Sequence, residues 1–138
     1  MALHCRDLSN RWFEEIWNKR RSEVIDELTT DASVGHTEVA DMSSVPAFKQ
    51  FHGEFLAAFP DLKVHIEDTI AEGDNAVVRW WAEGTHAGEW AGLAATNRRV
   101  RIRGMTWFRS ENGKVVEAWD SWSPTALMVH LRDGPAPQ

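Results

Sequence analysis

The chain has 138 residues, of which 43% are hydrophobic and 26% are charged, proportions typical of one globular domain with its own core. Its net charge of −6 argues against nucleic acid or an anionic membrane surface as the main partner, because both are bound through clustered lysine and arginine. The one cysteine, Cys5, excludes an intrachain disulfide and a cysteine-based metal site.

The sequence contains no apolar run long enough for a signal peptide or a membrane-spanning helix, so we expect a cytoplasmic protein. We expect residues 1–138 to form a single domain with a frayed tail at 131–138. Aromatic usage is skewed toward eight tryptophans and six phenylalanines, without a tyrosine. Because tryptophan rings form wide, rigid apolar walls, this usage suits a pocket for a flat or hydrophobic ligand, although tryptophan also fills cores and interfaces.

Helical periodicity comes first along the chain. A stripe at i, i+4, i+5, i+8 and i+9 predicts a first helix, and it consists of Leu8, Trp12, Phe13, Ile16 and Trp17. A second, short helix is predicted over 22–28, followed by a loop-like stretch with a short extended piece at 33–39. A third helix is predicted to begin after Ser44, with Pro46 in its first turn, and to end at Pro60.

Beyond the third helix the hydrophobic period changes from 3.6 to 2, which is typical of strands. Four strands are predicted, over 63–73, 75–88, 99–113 and 113–122, and "SENG" predicts a hairpin between the last two. A closing helix is predicted after Ser123. Helices followed by a meander predict an α+β fold built on a cone-shaped, curved antiparallel sheet. The N-terminal helices are expected to cover its concave face and enclose a pocket.

Four segments, in this order and spacing, resemble the SnoaL-like polyketide cyclase family within the nuclear transport factor 2-like and ketosteroid isomerase-like superfamily. They span roughly residues 10–131 and read "FKQFHGEFLAAFPDLKVHIEDTIAEGDNAVVRW", "GTHAGEW", "RRVRIRGMTWFRSENGKVVEAWD" and "ALMVHL". The resemblance implies the cone-shaped fold. It is less specific for one activity, since the superfamily also contains isomerases, dehydratases, epoxide hydrolases and non-catalytic modules.

In the cyclases of this family, a carboxylate seven residues after the hairpin glycine is the acid/base group of an intramolecular aldol ring closure. Counting from Gly113, the resemblance places Asp120 at this position. The chain differs from the family pattern at several positions: Ser123 replaces a second aspartate, Thr106 a histidine and His130 a glutamine, and the connector at 94–97 reads "AATN" in place of "PPTG". The implied function is a cofactor-independent acid/base enzyme for a hydrophobic, carbonyl-bearing small molecule. The alternatives are epoxide hydrolysis by water that Asp120 activates, and a ligand-binding module without turnover.

Strand alternation assigns Asp120, Thr106 and Trp80 to the concave face, because their sets are mostly small or apolar. The arginine-bearing sets then face solvent or a partner subunit. With no arginine on its face, Asp120 is expected to be desolvated against tryptophan rings, which raises the pKa of a carboxyl and suits acid/base work near neutral pH. The alternative is a structural carboxylate that hydrogen-bonds an amide or an indole.

Other side chains are predicted to share this pocket. His36, in the loop before the third helix, is the candidate second acid/base group, with a plain surface histidine as the alternative. The predicted substrate-binding residues are Trp80, His86, Thr106, Trp122, Phe55 and Trp17. His86 has the alternative of bracing its connector, and His52 is expected to face solvent. No His, Asp or Glu spacing indicates a metal site, and no cofactor is expected.

Trp81 and Trp107 fall on the outward faces of their predicted strands, where large rings would contact water. An exposed aromatic patch on a sheet usually indicates a partner. We therefore predict a homodimer that packs through the convex sheet face.

Overall fold

The computed structural model describes residues 4–37, 41–42 and 44–134, with the backbone alone for 41–42. The helices are α1 (Cys5–Arg11), which continues into a π-helical segment (Trp12–Asn18), α2 (Glu23–Leu28), α3 (Val45–Ala58) and α4 (Pro124–Asp133). The strands are β1 (Thr29–His36), β2 (Asp41–Met42), β3 (Lys63–Glu72), β4 (Asn75–Thr85), β5 (Arg99–Glu111) and β6 (Lys114–Trp122). None of the described helices is long and apolar enough to cross a membrane.

Two helices begin where their capping residues predict. Ser44 Oγ accepts a hydrogen bond of 3.2 Å from the Ala47 N–H at the start of α3, and Ser123 Oγ accepts one of 3.0 Å from the Ala126 N–H at the start of α4. A proline lies in the first turn of each, where its missing N–H leaves no bond unmade. Helix α3 ends just before Pro60, as predicted.

The first predicted helix is wound in two ways. After α1, the winding loosens to i→i+5 hydrogen bonds, such as the 3.0 Å bond from Lys19 N–H to the Glu14 carbonyl. In a regular α-helix, residues five apart project about 140° away from each other, whereas π winding brings them to one side. Trp12 and Trp17 therefore both reach Phe48, with ring centroids 4.9 and 6.0 Å away.

The sheet is curved, does not close on itself, and has the strand order β2-β1-β6-β5-β4-β3. The predicted meander β3 to β6 is antiparallel throughout. The predicted α+β fold on a curved sheet is confirmed, but the sheet is mixed rather than antiparallel, because β1 pairs parallel with β6. The sequence of β1 lacks the alternation that is typical of a strand, because Ser33 is its one buried residue. Residues 38–40 of the predicted extended piece and 135–138 of the predicted tail lie outside the described residues.

Burial alternates along β5 as the period of 2 predicts. The inward positions include Val100, Thr106 and Phe108, and the exposed ones include Arg99, Arg101, Arg103, Met105 and Trp107. A bulge in β6 shifts the pairing between Ser110↔Val115 and Arg109↔Glu117. Because of it, Val115 joins Ala118, Asp120 and Trp122 on the concave side, where strict alternation from Asp120 would place Val116.

Gly104 keeps the centre of the concave face open for a large ring. It lies opposite Trp80 in the β4/β5 ladder. A Cβ at this position would lie 2.5 Å from Trp80 Cζ2, 2.8 Å from the Ser121 carbonyl oxygen and 3.0 Å from Trp122 Cβ. The absence of a side chain at Gly104 thus sets the position of the Trp80 indole.

We expect Gly104→Ala to lower the free energy of unfolding by about 1–3 kcal/mol, because the new methyl group overpacks against Trp80 and the backbone of β6. The matched control is Gly53→Ala within α3, where the added Cβ meets nothing within 4 Å. That control should gain about 1 kcal/mol from helix propensity. Urea unfolding followed by far-UV circular dichroism measures both, and a neutral Gly104→Ala would contradict the close contact.

Candidate functional site

Two cavities lie between the concave sheet face and the helices, and Asp120, Trp12 and Phe48 line both of them. Each has a volume of about 60 Å³. The first cavity is completed mainly by β1, α2 and the start of α3, and the second by aromatic rings of the π-helical segment, α3 and β4. Asp120 therefore lies where the two cavities meet.

Asp120 reaches this position through the β5/β6 hairpin. Alternation along β6 turns it to the concave side, and the antiparallel register places it directly opposite Thr106. The Thr106 hydroxyl donates a 2.6 Å hydrogen bond to Asp120 Oδ1. Both residues thus lie on the concave face of the sheet, where strand alternation predicts them.

A third residue fixes the direction of this hydrogen bond. The Trp80 Nε1–H donates to Thr106 Oγ1 over 3.0 Å. Since an indole nitrogen can only donate, the Thr106 hydroxyl accepts from Trp80 and gives its own proton to Asp120. Asp120 Oδ1 is therefore occupied, whereas Oδ2 has no hydrogen-bond partner among the described residues.

Burial raises the pKa of the Asp120 carboxyl above its usual range, and the hydrogen bond from Thr106 offsets part of this rise. None of the described residues that line the two cavities is a lysine, an arginine or a histidine. The carboxylate thus has no positive charge beside it that would hold its pKa down. A carboxyl tuned in this way is suited to accept and return a proton near neutral pH.

Four of the predicted ligand contacts come together as one wall of the second cavity, and they are Trp17, Phe55, Trp80 and Trp122. Phe55 meets Trp17 edge-on at 6.0 Å and Trp122 at 5.9 Å between ring centroids. Thr106, the fifth, lines the first cavity and reaches Asp120. The structure brings these five side chains to Asp120's side of the sheet.

His36 is not brought to Asp120. Its Nε2 hydrogen-bonds Glu117 Oε2 at 2.8 Å, and its ring stacks on Trp119 at 5.3 Å. Glu117 and Trp119 alternate with Ala118 and Asp120 along β6 and therefore project from the opposite face. The expectation that His36 assists Asp120 is not supported by its position, because β1 is a strand rather than a loop that folds inward.

His86 is fully buried but lines neither cavity. Its Nδ1 accepts a 3.2 Å hydrogen bond from the Thr96 N–H, and its backbone bonds to Asn97 and Arg98. Burial lowers the pKa of this imidazole, which favours the neutral ring. The geometry corresponds to the bracing alternative for His86, because the residue ties the two ends of the β4–β5 connector together.

Two residues that line the cavities and one that supports them were not assigned to the site from the sequence. Trp12 and Phe48 form the wall shared by both cavities, yet apolar residues on predicted helices are more typical of a core than of a binding site. His52, expected to face solvent, is buried and donates from Nε2 to the Ile16 carbonyl at 2.8 Å. Burial lowers its pKa, and its ring lies 4.8 Å from Trp17, so it supports the π-helical segment. Only the five-residue spacing of Trp12 and Trp17 hinted at this arrangement.

Within the residues that the structure describes, no group of three or more His, Cys, Asp or Glu side chains is arranged to hold a metal ion.

A family model described as SnoaL-like polyketide cyclase matches residues 7–131. No curated protein matches the sequence significantly. AclR from Streptomyces galilaeus, a candidate hydroxylase, is 28% identical with a TM-score of 0.86, over 97% of this chain and 84% of that chain.

Two further structures share the fold at lower identity. A candidate SnoaL-like polyketide cyclase from Jannaschia sp. CCS1 is 23% identical with a TM-score of 0.86, over 95% of this chain and 93% of that one. IdmH from Streptomyces antibioticus, a candidate polyketide cyclase, is 22% identical with a TM-score of 0.80, over 94% and 99%. At these identities the similarity establishes the α+β architecture.

The raised pKa of Asp120 makes folding sensitive to pH in a definite direction. Because the folded state holds this proton more tightly than the unfolded state, stability falls as the pH rises from the unfolded pKa through the folded one. Asp120→Asn keeps an acceptor for Thr106 but carries no charge. We expect its melting temperature to exceed that of the parent by a few degrees at neutral pH and to match it near pH 4.

Differential scanning calorimetry across this pH range measures the difference. Asp31→Asn, at an exposed aspartate outside both cavities, is the matched control and should follow the parent at every pH. A parent that gains stability relative to Asp120→Asn as the pH rises would show that Asp120 is better solvated than its position indicates.

Proposed function

The chain belongs to the SnoaL-like polyketide cyclase family, and we propose that it is a cofactor-independent acid/base enzyme for a hydrophobic, carbonyl-bearing small molecule. The observation that carries this proposal is the Asp120 carboxyl. It lies where two apolar cavities meet, its Oδ1 is held by Thr106, and its Oδ2 is unpaired among the described residues. A fixed, desolvated carboxyl with one available oxygen is equipped to move a proton.

The proposed reaction is an intramolecular aldol ring closure. Asp120 Oδ2 removes a proton from a carbon next to a carbonyl group, and the C–H electron pair becomes the enolate. The enolate carbon attacks a second carbonyl of the same molecule and forms a C–C bond, while the electrons of that C=O move to its oxygen. Asp120 then returns its proton to this alkoxide, so the product is an isomer of the substrate.

A single carboxyl performs both proton transfers in this scheme. Asp120 is the one titratable side chain among the described residues that line the cavities. The lack of a second titratable side chain among the described lining residues argues against epoxide hydrolysis, which needs a second acid in the cavity. Glu83 lies on the opposite face, where it hydrogen-bonds His65 and pairs with Arg99.

The volume of the cavities limits how a ligand fits. An apolar cavity that admits a benzene ring is roughly 150 Å³, well above the volume of either cavity here. A ring-sized substrate must therefore occupy both and part the wall between them. Trp12 and Phe48, whose centroids are 4.9 Å apart, form that wall beside Asp120. The bound substrate then spans the carboxyl, with its reacting carbon in the middle.

Hydroxylation is a second candidate, and it rests on the 28% identity to AclR. Proton removal from carbon by Asp120 can begin either reaction, but hydroxylation also needs dioxygen as the oxidant, and two electrons and two protons from a reductant to convert its second oxygen atom to water, whereas ring closure needs no co-reactant. The mass of the product separates the two, because an aldol closure leaves the mass unchanged and a hydroxylation adds an oxygen atom.

We expect the enzyme to catalyse deuterium exchange at the carbon next to the carbonyl of 2-tetralone, a flat bicyclic ketone, in D₂O. Asp120→Asn should slow this exchange by about 100-fold or more, because the general base is lost. Proton NMR follows the exchange. Asp31→Asn controls for the change of charge. Equal exchange by the parent, Asp120→Asn and buffer alone, with binding retained, would leave a non-catalytic binding module as the function.

The pH profile of the exchange tests the Thr106 hydrogen bond separately. The base must be ionised, so the rate falls as the pH drops through the Asp120 pKa. Thr106→Val removes the one hydrogen bond that lowers this pKa, and the fall should then begin at a higher pH. Thr106→Ser retains the hydroxyl and should keep the parent profile.

We also propose that two copies pack through the convex sheet face. Trp81 contributes less than expected, because His65 stacks on it at 4.0 Å and the Arg101 guanidinium lies 3.9 Å from the ring centroid. A row of paired residues nevertheless crosses the four meander strands on this face, and it consists of Ile70, Val77, Trp107 and Trp119. Ile70, Trp107 and Trp119 are all exposed. An exposed apolar row of this length is typical of an interface between protein chains.

Trp107→Glu should convert a dimer into a monomer, because it buries a charge in the centre of the proposed interface. Light scattering coupled to size-exclusion chromatography measures the mass. Val129→Glu, an exposed apolar position on α4, is the control and should remain dimeric. Elution of the parent at monomer mass would contradict the proposal.

A further inference from the structure

The two cavities contain a base but no positive charge to stabilise the anion that the base creates. Among the described lining residues there is no lysine, arginine or histidine. Under the proposed function, removal of the proton puts negative charge on the carbonyl oxygen of the substrate. In a water-poor site, that oxygen requires hydrogen-bond donors already directed at it. The donors must therefore be neutral groups of the cavity walls.

Most neutral side-chain donors in the walls already have an acceptor. The hydroxyls of Thr29 and Ser33 donate to backbone carbonyl oxygens at 2.6 and 2.7 Å. The Thr106 hydroxyl donates to Asp120, and the Trp80 indole donates to Thr106. None of these four groups has a proton left for a substrate.

The Ser44 hydroxyl only accepts a hydrogen bond and so keeps its proton, but it lines only the first cavity. Three indole N–H groups remain, and they belong to Trp12, Trp17 and Trp122. None of the three has an acceptor among the described residues, and none of their nitrogens is sealed from a probe the size of water. Trp17 and Trp122 line only the second cavity. Trp12 lines both cavities, as Asp120 does.

We propose that the Trp12 indole N–H binds the carbonyl oxygen of the substrate and stabilises the enolate that Asp120 produces. The π-helical segment begins at Trp12, and its ring packs edge-on against Phe108 of β5 at 5.9 Å, a contact that remains when Phe48 moves aside to admit the substrate. Packing of this kind holds the donor in place before the substrate arrives, so no reorganisation is required during the reaction.

A neutral donor also suits the base beside it. A lysine or an arginine at this position would stabilise the enolate, but it would also lower the pKa of Asp120 and weaken the base. An indole N–H carries no net charge, so Asp120 retains the basicity that burial confers. The cavity thus assigns proton transfer to Asp120 and stabilisation of the oxygen to Trp12.

The test removes the N–H and keeps the ring. Trp12 is replaced by β-(3-benzothienyl)alanine, in which sulfur takes the place of the indole N–H. Calorimetric titration then compares 2-tetralone with tetralin, the same ring system without the oxygen. We expect the replacement to weaken 2-tetralone binding by about 3- to 10-fold and to leave tetralin binding unchanged. Deuterium exchange into 2-tetralone should fall further, by about 100-fold, because the enolate carries more charge than the ketone.

The same replacement at Trp119, an exposed tryptophan on the convex face, is the control and should leave the affinity for both ligands unchanged. If the chain with the substituted Trp12 does not fold, Trp12→Phe provides the same comparison of the two ligands. An equal loss of affinity for both ligands would show that Trp12 acts only through the packing of its ring. An unchanged preference for 2-tetralone over tetralin would show that another donor, such as the Ser44 hydroxyl, binds the carbonyl oxygen. Either result overturns this proposal and leaves Asp120 as the base, whereas failure of both probes to bind would overturn the proposed function as well.

Discussion

The hydrogen bond from Thr106 to Asp120 is the interaction around which the concave face is organised. It joins β5 to β6 at the level where the two cavities meet, and it gives the half-buried Asp120 carboxyl its one described hydrogen bond. Its direction depends on the Trp80 indole, and Trp80 has room only because Gly104 lies opposite it. A glycine, a tryptophan, a threonine and an aspartate on three adjacent strands therefore form one unit. A carboxyl placed elsewhere on this face would lack that support and would cost stability without gaining a fixed orientation.

The parts of the fold that follow from local rules were predictable. Serine and proline mark the starts of α3 and α4, the period of 2 identifies the meander, and alternation gives the correct face for Asp120. Strand β1 was predicted only in part, as a short extended piece at 33–39, because its burial comes from neighbouring elements and leaves no alternation in "TTDASVGH". The parallel pairing with β6 is a long-range contact that no local pattern encodes. The bulge in β6 was missed for the same reason, since the pairing with β5 creates it.

The histidines show the limit of residue type as a guide to the site. His36, His52 and His86 were weighed by their neighbours in the sequence, yet each role is set by a distant partner. His36 pairs with a β6 carboxylate on the outer face, His52 supports a π-helical carbonyl, and His86 holds a connector. The site itself relies on indoles and a hydroxyl, which are less conspicuous in a sequence than titratable groups. The wall formed by Trp12 and Phe48 depends on π winding, which hydrophobic periodicity of 3.6 does not reveal.

The location of the shared wall has an evolutionary consequence. Asp120, Thr106 and Trp80 lie on the central strands, whereas Trp12 and Phe48 come from the helical layer that covers them. Substitutions in that layer change the shape of the space above the carboxyl without altering the strand register that supports it. Substrate range is then free to diverge while the proton-transfer group stays fixed. One scaffold can in this way acquire new substrates through substitutions around Trp12 in the helical layer, while the strands that hold the proton-transfer group stay unchanged.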